Sequence, residues 1–197
     1  MRDKLFIYGS FSEGMVHFDR IASAIVESKP AHVFGSIFRL PVGYPVFHLQ
    51  GAQKITGQLV TVQKPEVIFP LLDQFHGFNS MDLEKSLFHR LAVEAETATE
   101  RILTAVYSVN LKKLCKRAQL IMDADWQKSL SENPTLTQRL TEKQRNYLLK
   151  LGRSSGRDIV PIDLGLYREL MKLDLVVDKG RRLALTPLGQ DVFRYLS

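Results

Sequence analysis

A chain of 197 residues, 45% hydrophobic and 24% charged, has apolar side chains enough for a real core, and no apolar run reaches the ~20 residues of a membrane span. The apolar segment behind Met1-Arg2-Asp3-Lys4 is too short for a signal peptide, and the single Cys115 excludes an internal disulfide and suits a reducing, cytoplasmic setting. The net charge of +6 is lopsided: residues 1–110 carry 10 basic against 11 acidic side chains and residues 111–197 carry 17 against 10, so any attraction for a polyanion or acidic partner belongs to the C-terminal part.

The first predicted element is a short buried strand, Leu5-Phe6-Ile7-Tyr8, running into Gly9-Ser10-Phe11. Glycine there permits a sharp turn, and the turn either simply ends the strand or leaves main-chain N–H groups free to cradle an anion or a carbonyl oxygen. Phe18, Ile21, Ala22, Ile25 and Val26 recur at helical spacing, which predicts a helix from His17 to about Ser28, stopped by Lys29-Pro30. Three strands follow at 32–40, 44–49 and 54–62, with turns at 41–43 and 50–53. Gly35 and Gly57 fall inside these strands and predict bulges or tight bends. Pro65 to Phe75 reads as a helix with Gly77 as its exit, and two strands at 87–97 and 101–110 complete the block. His89 sits among Leu87, Leu91, Val93 and Ala95 and is expected to be a hydrogen-bonded core residue.

Lys112–Leu130 is expected to be a connecting helix, with the domain boundary near Ser131-Glu132-Asn133-Pro134-Thr135. Beyond it, Thr141-Glu142-Lys143-Gln144 is a capping-box pattern, and a second helix follows Asp163. Leu175-Val176-Val177 and Leu183-Ala184-Leu185 make a hairpin around a basic tip, and Thr186-Pro187 opens a last helix. The five histidines have no metal-ligand spacing and only one cysteine accompanies them, so no metal is expected.

Residues 4–110 resemble the gamma-glutamylcyclotransferase-like family. The pieces that carry the resemblance are Tyr8-Gly9-Ser10-Phe11, Gly35-Ser36-Ile37-Phe38-Arg39-Leu40 leading into Tyr44-Pro45-Val46, Ile55-Thr56-Gly57-Gln58-Leu59-Val60, Leu71 to Gly77, Phe88-His89-Arg90 and Ala105-Val106-Tyr107. The resemblance implies an α+β fold: a small, mixed, mostly antiparallel β-barrel of six or seven strands with flanking helices, over residues 1–112. It also implies a gamma-glutamyl-type small-molecule ligand, with Gly9, Ser10 and Phe11 holding the reacting carbonyl, Tyr8, Arg90 and Tyr107 lining the pocket, and cyclisation to 5-oxoproline without a metal or organic cofactor. The family's proton carrier is a glutamate in a Leu-Asp-x-x-Glu-Gly motif, and here those positions read Leu72-Asp73-Gln74-Phe75-His76-Gly77. Three readings of His76 stand: activity lost or redirected to ligand binding, His76 as a substitute base, or the nearby Glu84 as the acid.

Residues 113–136 are read as connecting helix and linker, and residues 137–197 as a basic module that resembles part of a winged-helix domain. That likeness makes Arg168, Lys172, Lys179, Arg181 and Arg182 the candidate nucleic-acid contacts, with a protein partner or self-association as the other use of the module. The alternative to the enzyme is thus a ligand-binding regulatory protein whose basic module engages a partner, with no membrane association.

Overall fold

The computed structural model describes residues 3–154 and 158–197, and its contacts divide the chain into two compact units: residues up to Leu40 with Tyr44–Asn133, and Pro41–Gly43 with Pro134–Ser197.

Unit one is a closed, mixed, five-stranded barrel. β1 (Lys4–Ile7) runs antiparallel to β3 (Pro45–Val62) and parallel to β5 (Arg101–Val109). β5 pairs with β4 (Phe88–Glu96), β4 meets β2 (Ile25–Arg39) at His32 opposite Glu96, and β2 closes the ring along β3. A two-residue strand, β6 (Gln119–Leu120), adds to the end of β2. The expected sixth barrel strand disappears because 44–49 and 54–62 belong to one strand. Gly35 lies opposite Gln53 and Ser36 opposite His48, so Leu49–Ala52 bulge out of β3 without breaking it. A Cβ on Gly35 would stand 2.4 Å from the His48 carbonyl oxygen, so only glycine lets the strands cross there.

Period-two alternation sorts the apolar residues into two cores. Phe6, Val33, Ile37, Phe47, Ile55, Leu59, Val93, Ala95 and Val106 come from all five strands and fill the barrel interior. Leu5, Ile7, Val46, Val60, Ala105, Tyr107 and Val109 face the other way and are covered by the helices, through Ile21 of α1 (Asp19–Ala22) and Ile68 and Leu72 of α2 (Pro65–His76).

Two expectations are corrected here. The helix predicted for His17–Ser28 is only the four residues of α1, because β2 begins at Ile25 opposite Val62. The β-branched pair Ile25-Val26 goes to the ladder, and tertiary pairing overrides the helical spacing. The connecting helix is mostly extended chain: a 3₁₀ turn at Leu111–Lys113, then β6, then α3 (Trp126–Glu132), whose N-cap Asp125 accepts from the Lys128 amide. Ile121, Ala124 and Trp126 plug the barrel interior, and the Trp126 indole N–H donates to the Thr56 carbonyl at 2.9 Å.

Unit two is a helical module with one hairpin: α4 (Leu136–Arg139), α5 (Glu142–Arg153), α6 (Leu164–Lys172), β7 (Val176–Asp178), β8 (Leu183–Leu185) and α7 (Pro187–Leu196). The caps are those the sequence predicts, with a capping box at Thr141 and Gln144 and side-chain caps at Asp163 and Thr186. Leu148, Leu151, Leu170, Leu175 and Val192 form buried positions between these elements. The stretch 153–160, where the sequence offers no further helix, lies partly outside the described residues.

Candidate functional site

β1 ends at Ile7, and the chain passes through Tyr8 into a 3₁₀ turn over Gly9–Phe11. Gly9 takes φ +59°, and a Cβ there would meet Pro45 Cγ at 2.8 Å, so the bend depends on glycine. The carbonyls of the bend are used: Gly9 O accepts from Ser12 N at 3.1 Å and Ser10 O from His17 N at 2.8 Å. The amides of Gly9 and Ser10 make no hydrogen bond among the described residues, although both residues are buried. The bend thus has two main-chain donors, at buried residues, without acceptors among the described residues.

The bend is roofed by rings. Phe11 packs edge-on against Phe75 at 5.0 Å and lies 5.5 Å from both His17 and His76. His76 is the last residue of α2, which closes with Gly77 in the left-handed conformation; Phe78 N donates to Asp73 O and Gly77 N to Gln74 O. The His76 Nδ1 is 2.9 Å from the Leu72 carbonyl. A carbonyl only accepts, so Nδ1 carries the hydrogen and Nε2 bears the lone pair of the neutral ring. The imidazole lies flat on the Tyr107 ring, 3.9 Å between centroids and 5° between planes, with Phe75 and Phe88 edge-on at 5.1 Å.

Behind this stack is a polar relay. Asp73 stands three residues before His76 on the same face of α2; its Oδ1 accepts from the Tyr107 hydroxyl at 2.6 Å and its Oδ2 from Arg90 Nη1 at 3.0 Å. The Arg90 guanidinium rests on Phe69 at 4.8 Å and Phe78 at 5.5 Å. Burial first, and the Asp73 carboxylate second, push the Tyr107 phenol above its ordinary range. Tyr8 points into the barrel interior beside Phe6 and Phe47, accepts from Phe47 N at 2.7 Å and donates to Tyr107 O at 3.3 Å; burial raises its phenol as well.

Of the residues expected at the site, Phe11, His76 and Tyr107 come into ring contact, and Gly9 and Ser10 adjoin them through Phe11. Arg90 is adjacent, but its charge is spent on Asp73. Glu84 is exposed on the loop between α2 and β4, and His89 is partly exposed, with Nε2 2.9 Å from the Leu83 carbonyl. Arg168 and Lys172 are exposed on α6, and Lys179, Arg181 and Arg182 at the β7–β8 tip, all in unit two. Sequence reasoning missed His17 and gave Asp73 no role. The Leu-Asp-x-x-His-Gly spacing held the clue for Asp73, since i and i+3 share a helix face; His17 carried no local signal. His17 is 2% exposed, and burial first and Arg20 second lower its imidazole to about 4, so it is neutral at pH 7. Among the described residues no three His, Cys, Asp or Glu side chains group to hold a metal ion, and no helix is long and apolar enough to cross a membrane.

A model of the family described as gamma-glutamyl cyclotransferase, AIG2-like, matches residues 5–128, which contain all of the barrel but Lys4, the bend and His76. The chain belongs to this family. Among solved structures, YkqA from Bacillus subtilis is similar at 20% identity and a TM-score of 0.49; the match covers 66% of this chain and 41% of that one, so this chain spans less than half the length of YkqA. An AIG2-like protein from Mus musculus is similar at 15% identity over 58% of this chain and 80% of its own, with a TM-score of 0.46. A gamma-glutamyl cyclotransferase is similar at 12% identity over 86% and 98%, with a TM-score of 0.41. No curated protein matches the chain.

Proposed function

We propose that this chain binds a gamma-glutamyl compound at the Gly9–Phe11 bend and cyclises it to 5-oxoproline, with His76 moving the proton. The observation that carries this reading is the pair of Gly9 and Ser10 amides, without acceptors among the described residues, one ring away from an imidazole that donates through Nδ1 to Leu72. The reaction needs little else. The substrate's α-amine attacks its own γ-carbonyl carbon, the amides donate to the carbonyl oxygen as charge builds there, and the bond from that carbon to the leaving nitrogen breaks. His76 takes a proton from the attacking nitrogen and returns it to the leaving nitrogen, so no net proton is consumed. Phe11 and Tyr107 supply apolar walls that keep water from competing. Tyr8 and Arg90, expected at the pocket, serve in this reading as supports, because their polar groups already have protein partners.

The test is incubation of the full chain with a panel of gamma-glutamyl amino acids and gamma-glutamyl amines, with 5-oxoproline followed by mass spectrometry. Formation with the native chain and its loss in His76→Ala supports the assignment; no 5-oxoproline from any member, or equal amounts from His76→Ala, rejects it.

A second reading is favoured by the burial of the bend under Phe11 and by the basic surface of unit two. In it the barrel senses a gamma-glutamyl-type ligand without turnover, and the winged-helix-like order of α6, hairpin and α7 engages a protein or nucleic-acid partner through Arg168, Lys172, Lys179, Arg181 and Arg182. Ligand-dependent thermal shift without 5-oxoproline formation is its signature.

A further inference from the structure

We propose that Asp73 is a positioning residue for His76: clamped by Arg90, it holds the Tyr107 hydroxyl and thereby fixes the ring plane and the tautomer of the imidazole lying on Tyr107. This rests on reading His76 as the proton carrier.

The geometry supports it step by step. Aromatic rings left to themselves prefer offset or edge-on contact, so a parallel pair at 3.9 Å and 5° needs something to hold it. Tyr107 is held at both ends. Its main chain lies in the β4–β5 ladder directly opposite Arg90, and its hydroxyl donates to Asp73 at 2.6 Å, the short distance of a bond to a charged acceptor. Asp73 cannot swing away, because its other oxygen accepts from Arg90 at 3.0 Å. Arg90 in turn is laid between Phe69 and Phe78, which hold its planar fork at the carboxylate. The ladder returns Arg90 to Tyr107, so the three residues form a closed circuit, with α2 on one side and the β4–β5 pair on the other, and His76 lies on its Tyr107 face.

The consequence falls on His76. With its face against Tyr107, the ring keeps Nδ1 on the Leu72 carbonyl; turned over about its own axis, it would lose that bond. The Leu72 carbonyl therefore selects the tautomer in which Nε2 is the base, and the relay holds the ring in the plane in which that bond is made. A carboxylate in this place has two equivalent oxygens and needs no such selection, whereas an imidazole has two different nitrogens and does.

The experiment follows the His76 side-chain nitrogens by NMR in the uniformly labelled full-length protein, with the signals assigned by His76→Gln. The native chain is expected to hold one tautomer, protonated on Nδ1. Tyr107→Phe keeps the ring and loses the anchor, and Asp73→Asn keeps the size and loses the charge. Each is expected to give a mixture of tautomers and to move the His76 titration midpoint by about half a pH unit or more, with the circular dichroism spectrum retained. Folded variants with an unchanged tautomer and titration curve overturn the proposal, and Tyr107→Phe alone decides if Asp73→Asn does not fold. The readout needs no turnover, so the relay is tested even in a chain that forms no 5-oxoproline. Where 5-oxoproline is formed, kcat is expected to fall about tenfold or more in both variants with KM nearly constant, and a fall confined to KM counts against positioning.

Discussion

His17 is the group that most directly ties this molecule to pH. Its folded value of about 4 lies below the ordinary value of about 6.5, so the unfolded chain takes up a proton that the folded chain refuses. Stability from this group is complete above pH ~6.5, declines as the pH falls toward 4 and is flat below, a span of roughly 3 kcal/mol. Thermal melts between pH 8 and 4 are expected to show that decline, and His17→Gln to flatten it. Gly9 makes a second prediction at this scale. Gly9→Ala forces a side chain into a left-handed conformation and against Pro45, at a cost of about 1–3 kcal/mol measured by urea unfolding. His76 itself was singled out in the sequence only through the family resemblance; its stack on Tyr107, 31 positions along, was not legible.

Among the elements, segments with local signals formed as read and segments without them did not. α2 has proline at its first position and a glycine exit, and β4 and β5 are bounded by turn residues; all three fall within a residue or two of expectation. The stretch from Leu111 to Glu132 has helical spacing by accident of composition, and its true role is decided by the open end of the barrel. Trp126→Ala is therefore expected to cost about 3–5 kcal/mol, as loss of a barrel plug, where an exposed connecting helix would lose well under ~1 kcal/mol. Trp126→Phe keeps most of the volume but loses the bond to the Thr56 carbonyl, and is expected to cost about 1 kcal/mol. Equilibrium unfolding of both variants checks the pair.

Across the whole molecule, the basic excess is concentrated in unit two: residues 134–197 carry 12 basic against 7 acidic side chains, and the residues up to 133 carry 15 against 14. Exposed cations gather on α6 and the β7–β8 tip of unit two. Retention of the full chain on a heparin column is expected to drop to clearly lower salt when Lys179, Arg181 and Arg182 are each changed to Glu, and to change far less with Lys54→Glu on unit one. Equal shifts would mean that net charge alone governs retention.

What depends on neighbours along the chain was readable before any coordinates: the strand that runs into Gly9, the limits of α2, the caps of unit two, the place of His76 in its motif. These follow from φ preferences, capping and short-period alternation, which act within a few residues. Three outcomes came only with the folded chain: two expected strands are one, 17–28 is mostly not helix, and Asp73, Arg90 and Tyr107 close a circuit beneath His76. They depend on ladder register and ring packing between residues tens of positions apart, where the gain from closing a barrel outweighs the weaker local preference.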